Sequence, residues 1–148
     1  MENLRIFVAD ISSDTVQNMK SYFASQRGID VVGTFTEGST LIHALKNNKV
    51  DVLIIDLYLP NVDGVSILHL LKEENEISRP KCVIATSAFT SERIMKKVAD
   101  LGADFFIQKP LLKLFKQIKE EERFATDEEQ SLTVAMERKI IFWIVGVE

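Results

Sequence analysis

At 148 residues, with 46% hydrophobic and 27% charged side chains, the chain can build one domain with a real core, and its balance excludes a disordered or fibrous protein. A formal net charge of -4 argues against unaided nucleic-acid binding, which needs a basic face to meet phosphates. The single cysteine, Cys82, excludes an internal disulfide or a cysteine metal cluster, and its place at the head of an apolar run reads as an inert buried thiol.

Met1 to Asp10 is too short and too interrupted by charge for a signal peptide, which points to a cytoplasmic setting. Leu4 to Ala9 contains Ile6, Phe7 and Val8, a buried strand that ends at Asp10. Ser12, Ser13 and Asp14 can cap a helix in which Val16, Met19 and Phe23 recur at helical spacing, and Gly28 stops it. Ile29 to Phe35 is a second strand, and Glu37 to Asn47 a second helix with Leu41 and Leu45 one turn apart. Val52, Leu53, Ile54 and Ile55 form an unbroken, mostly β-branched run, the pattern of a strand buried on both faces of a parallel sheet. Asp56 ends that strand, and Pro60 with Asp63-Gly64 punctuates the loop after it.

Val65, Leu68 and Leu71 stripe a third helix; Arg79-Pro80 breaks the chain before a fourth strand, Cys82 to Thr86. A fourth helix over Ser91 to Leu101 is closed by Gly102, and Phe105 to Gln108 makes a fifth strand. Lys109-Pro110 then leads into a fifth helix from about Leu111 to Glu122. Strands alternating with helices give a doubly wound α/β architecture: a five-stranded parallel sheet covered by helices on both faces. The expected strand order is the flavodoxin-like 2-1-3-4-5, whose switch point lies between the first and third strands, where Asp10 and Asp56 both point.

Asp56, Pro60 and Gly64 after an apolar strand, Ser87-Ala88 after the fourth strand and Lys109-Pro110 after the fifth resemble the receiver domains of two-component response regulators, whose fold is this CheY-like one. The resemblance covers about Leu4 to Glu122 and implies roles. Asp56 is the phosphoacceptor, Lys109 the cation that meets the phosphoryl group, and Ser87 the hydroxyl that donates to a phosphoryl oxygen. Phe106 stands where the family carries an aromatic that moves inward with that hydroxyl. Mg2+ would be held by Asp10, Asp56 and the backbone carbonyl of Tyr58. An aspartate can act as nucleophile toward phosphorus when a hard cation and fixed donors neutralise the developing charge. Such a domain is no enzyme beyond phosphorylating and dephosphorylating its own aspartate. Its donor would be a histidine kinase or histidine phosphotransferase. Its output face would present Arg93, Lys97, Phe106 and Lys113 to an effector or to a second copy in a homodimer, with no membrane and no direct DNA binding by this chain.

Receivers end their first strand with two adjacent acids. Aligning Ile6 to Ala9 with that strand puts Asp10 on the first acid and Ile11 on the second; a shift by one puts Asp10 on the second and Ala9 on the first. Either way one carboxylate is missing. Two carboxylates about 4 Å apart repel by about 4 kcal/mol at an effective dielectric near 20, a repulsion that a cation offsets. Losing one relieves the repulsion and also removes a metal ligand. Since even outer-shell changes cost about 10 to 100-fold in metal affinity, weak Mg2+ binding is expected. Two readings follow: a working phosphoacceptor, or a pseudo-receiver that binds partners without phosphorylation because Ile11 replaces an acid. A small-molecule binder in the same crevice is a third.

His43 and His69 fall within helices apart from any acid cluster and carry no expected role. Residues 123–131 read as an acidic linker, and 132–148 as an apolar tail resembling the start of a truncated effector domain. Lys96 to Ala103, with Phe105-Phe106-Ile107, is similar to the receivers that control sporulation.

Overall fold

The computed structural model describes residues 3–26, 28–73 and 76–109. The expected fifth helix, the linker, the tail and Lys113 lie outside the described residues. The strands are β1 (Leu4–Ala9), β2 (Ile29–Phe35), β3 (Val52–Asp56), β4 (Cys82–Ser87) and β5 (Phe105–Gln108). They form one parallel sheet in the order β2-β1-β3-β4-β5, as the alternation predicts. Between them run α1 (Ser13–Ala24), α2 (Gly38–Asn47), α3 (Gly64–Glu73) and α4 (Glu92–Asp100).

The strand sequences are apolar on consecutive residues because both sheet faces are covered. On one face Ile6, Val8, Ile54 and Ile84 pack with Val16, Met19 and Phe23 of α1. On the other, Phe7, Leu53, Ile55 and Val83 pack with Leu41 and Leu45 of α2, Ile67, Leu68 and Leu71 of α3 and Val98 of α4. Each fully buried Leu, Ile or Phe contributes about 1.5 to 3 kcal/mol, set against the entropy of ordering the chain. The β1–β2 register shifts between Ile6 and Phe7, so that Val32 has no partner on β1 and is left half in solvent on the outermost strand.

Local chemistry sets the helix starts. Ser12 Oγ accepts from the Thr15 N–H at 3.2 Å and Ser91 Oγ from the Ile94 N–H at 3.1 Å, capping α1 and α4. Gly64 starts α3 so close to the end of β3 that a Cβ there would sit 2.5 Å from the Asp56 carbonyl oxygen. Only glycine lets the strand turn into the helix this tightly. The far end of α4 is held by cations from elsewhere: Lys72 Nζ, in α3, donates to the Asp100 carbonyl at 2.9 Å, and Arg79 Nη2 donates to the Gly102 carbonyl. β4 runs one residue further than the reading Cys82 to Thr86, because Ser87 still pairs with Gln108 and its carbonyl accepts the Lys109 N–H at 2.9 Å.

Candidate functional site

Every strand of a parallel sheet delivers its last residue to the same edge. β1 and β3 are neighbours, with Ala9 opposite Ile55, so Asp10 and Asp56 arrive side by side, 4% and 1% exposed. Lys109, just past β5, reaches across β4 to them. Its Nζ lies 2.6 Å from Asp56 Oδ2 and 2.8 Å from Asp10 Oδ2, bridging the two carboxylates. Carboxylates this buried are tolerated only when paired and hydrogen-bonded. The other donors are main-chain groups: Asp10 Oδ1 accepts the Ser12 N–H at 2.9 Å, Asp56 Oδ1 the Tyr58 N–H at 3.0 Å, and Asp56 Oδ2 also the Ile11 N–H at 3.4 Å. Two negative charges and one positive leave the triad with a net charge of about -1.

Burial works to lower the Lys109 pKa, but the hydrogen bonds and charges of Asp10 and Asp56 outweigh it and the net displacement is upward. Lys109 is therefore held as an ammonium ion. Burial pushes the Cys82 thiol up to about 12, with the Asp104 charge adding to it, so this buried cysteine stays protonated and inert as its sequence context predicts.

Of the residues singled out in the sequence, Asp10, Asp56 and Lys109 come together directly. Ser87 is fully buried at the end of β4, tied to Lys109 through its main-chain carbonyl, and its hydroxyl accepts the Phe89 N–H at 3.1 Å. Phe106 is half-buried against the core under α2 to α4. Arg93 and Lys97 are exposed on α4, and His43 and His69 are exposed on α2 and α3, outside the triad. Ala9 is packed in the core, whereas Ile11 follows Asp10 at the mouth, 54% exposed, with its N–H on Asp56.

Among the described residues no group of three or more His, Cys, Asp or Glu side chains could hold a metal ion. A hard cation that keeps several of its waters can nevertheless be bound by one or two carboxylates plus phosphoryl oxygens. Asp10 and Asp56 are two adjacent buried carboxylates of that kind. Lys109 already stands between the two carboxylates.

The fold and this triad define an α/β domain that presents a buried aspartate and an ammonium group at the carboxyl edge of its sheet. The sequence matches the response regulator receiver domain over residues 6–133. A chain of the CheX–CheY–BeF3–Mg2+ complex from Borrelia burgdorferi is 26% identical, with 84% of this chain and 92% of that one covered and a TM-score of 0.68. The response regulator domain of Thermotoga maritima CheB is 27% identical over 82% of this chain and 95% of that one, with a TM-score of 0.69. The receiver domain of the Francisella response regulator 1452 is 27% identical, covering 84% of this chain and all of that one, with a TM-score of 0.66. The chain belongs to the response regulator receiver family of two-component signalling, whose members are in general signalling domains rather than enzymes and bind Mg2+ at their acidic phosphorylation site.

Proposed function

We propose that this receiver accepts a phosphoryl group on Asp56 from the phosphohistidine of a histidine kinase or histidine phosphotransferase. The observation that carries the reading is the Lys109 ammonium group 2.6 Å from Asp56. It neutralises the aspartate at rest and is placed to follow the charge onto phosphoryl oxygens. A carboxylate oxygen of Asp56 forms the new P–O bond as the P–N bond of the donor breaks, and the departing imidazole takes a proton. The Tyr58 and Ile11 N–H groups hold the carboxylate in place throughout. Ser87, freed from the Phe89 N–H, donates its hydroxyl to a phosphoryl oxygen, and Phe106 turns inward behind it. Mg2+ would be held by Asp10, Asp56 and the Tyr58 carbonyl and would supply further neutralisation of the phosphoryl oxygens. With Ile11 where a third carboxylate would stand, that affinity is weak.

The output face is the α4 and β5 side, through Arg93, Lys97 and Phe106, and a second copy is its simplest partner. The wording of Lys96 to Ala103 and Phe105-Phe106-Ile107 supports kinship with the receiver of stage 0 sporulation protein A, and hence a cytoplasmic role in a sporulation phosphorelay. Among the described residues no helix is long and apolar enough to cross a membrane. Ile11 favours one second reading, a pseudo-receiver that engages partners without phosphate.

Intact mass after incubation with acetyl phosphate and millimolar Mg2+ separates the two. Addition of one phosphoryl group that disappears in Asp56→Asn supports the phosphoacceptor; an unchanged mass at every Mg2+ concentration sinks it. Mg2+ titrated against intrinsic tyrosine fluorescence tests the metal. An affinity equal to that of a receiver with three acids would overturn the weak site.

A further inference from the structure

Tyr58 to Asp63 join β3 to α3, and main-chain bonds fix both ends of the segment. The Leu57 N–H donates to the Thr86 carbonyl and the Gly64 N–H to the Leu57 carbonyl, each at 2.9 Å. The first residue of the segment holds Asp56, because the Tyr58 N–H donates to Oδ1 at 3.0 Å. The Tyr58 side chain is exposed and gives that amide no anchor of its own. Leu59 is buried, but apolar burial is non-directional and does not set the turn of the main chain.

Directional contacts come from α2. Among the described residues, the hydrogen bonds that tie this segment to a helix other than α3 all go to the amino end of α2. Asn61 Nδ2 donates to Glu37 Oε2 at 2.8 Å, and the Ser39 hydroxyl donates to Glu37 Oε1 at 3.0 Å. The Gly38 N–H donates at 3.0 Å to the Pro60 carbonyl, which also accepts the Val62 N–H at 2.8 Å. Each partner departs from the ordinary choice at its position. Glu37 stands at the N-cap of α2, yet its side chain makes no capping bond and is turned to the segment instead. Asn61 is the one non-glycine residue with a positive φ among the described residues, at 69°, a left-handed conformation that asparagine tolerates better than most side chains. At Gly38 a Cβ would lie 1.9 Å from the Val62 carbonyl oxygen, so a side chain there would force the two elements apart.

We infer that Glu37 and Asn61 are positioning residues for the chemistry at Asp56: their bond sets the main chain at Pro60 and thereby holds the Tyr58 N–H on the carboxylate that attacks phosphorus. The inference rests on the phosphoacceptor role proposed for Asp56. Glu37 touches neither Asp56 nor a donor, and acts through Asn61, Pro60 and Tyr58 in turn. A nucleophile held in the attacking geometry avoids the entropy of finding it, so loosening the hold slows the chemical step and leaves binding of the donor unchanged.

Initial rates of phosphoryl uptake are followed by intact mass at saturating acetyl phosphate and millimolar Mg2+. Glu37→Ala and Asn61→Gly each lower the saturated rate about tenfold and leave the half-saturating concentration as it is. Glycine adopts positive φ freely, so Asn61→Gly keeps the backbone and removes only the side-chain bond. Glu37→Gln, whose amide oxygen still accepts from Asn61, retains the wild-type rate. The Glu37→Ala, Asn61→Gly double variant is no slower than either single variant, because both remove one bond. Asn48→Ala removes a comparable exposed bond at the far end of α2 and leaves the rate unchanged. Wild-type rates in both single variants, a loss in Glu37→Gln as large as in Glu37→Ala, multiplied losses in the double variant, or an equal loss in Asn48→Ala would each overturn the inference. A second measurement needs no phosphate: in EDTA the Tyr58 amide hydrogen exchanges faster in Asn61→Gly than in the wild type, with the urea midpoint unchanged. Should the wild type take up no phosphoryl group, the phosphoacceptor reading fails by itself and this exchange decides the junction; equal exchange in the two proteins overturns it.

Discussion

The strand β3 has an aspartate at each end, and each aspartate pairs with a lysine, yet the two ends behave differently. Asp51, just before the strand, lies 3.8 Å from Lys81 with the two side chains 28% and 73% exposed, and accepts the Arg5 N–H. Asp56, at the other end, is 1% exposed and lies 2.6 Å from a lysine that also reaches Asp10. Solvent screens the first pair to about 0 to 1 kcal/mol. At the second, water is excluded, charges act at short range, and removing one partner leaves another buried and uncompensated. The comparison teaches that residue type does not make a site. Convergence and burial do, and a parallel sheet supplies both at its carboxyl edge.

The comparison can be broken most sharply by chemistry. Asp56→Asn is expected to abolish phosphoryl uptake in intact mass, whereas Asp51→Asn retains it; uptake lost equally in both would mean that the adduct is not on Asp56. Next in size, Lys109→Met strands two carboxylates and is expected to cost about 3 kcal/mol in urea unfolding. The pH dependence follows from its raised pKa. Stability supplied by a group whose folded pKa lies above its unfolded value is fully present below the unfolded value, here 10.5, and is lost as pH rises through the higher folded value. The gap between the wild type and Lys109→Met is therefore flat through neutral pH and closes only in strong alkali; a gap that closes near neutrality would contradict the bridge. Gly64→Ala forces a methyl group against the Asp56 carbonyl and is expected to cost about 1 to 3 kcal/mol by the same unfolding measurement. Lys81→Met should fall within about 0.5 kcal/mol of the wild type, and a larger loss would show that the amino end of β3 is not the screened counterpart it is taken for.

Much of this was legible in the sequence. Runs such as Val52 to Ile55 are β-branched and unbroken because both faces of the strand are buried, so the strands, their order and the triad at their ends follow from residue types. The remainder lies in groups that carry no residue label. The N–H groups that hold Asp10 and Asp56 belong to Ser12, Tyr58 and Ile11, and any residue could supply them. Ile11 drew attention only as a missing carboxylate, although its main chain is a donor to Asp56. Nor does sequence spacing tell that Tyr58 and Phe89 turn outward while Leu57 and Leu59 turn in, because loops have no period. The extra residue of β2 at Val32 and the extension of β4 through Ser87 are register facts, visible only once neighbouring strands are paired.

The two cations at the end of α4 have a mechanical consequence. Lys72 and Arg79 tether the carbonyls of Asp100 and Gly102 to α3 and the segment after it, while the Ser91 cap at the amino end ties α4 only to its own first turn. A rod pinned at one end moves as a lever with its fulcrum there. A small displacement of the Ser87 loop is therefore expected to move Arg93 further than Lys97. Hydrogen exchange should report the fulcrum directly: the Leu101 and Ala103 amides, bonded to Lys97 and Val98, are expected to exchange more slowly than the Met95 amide, and Lys72→Ala to narrow the difference.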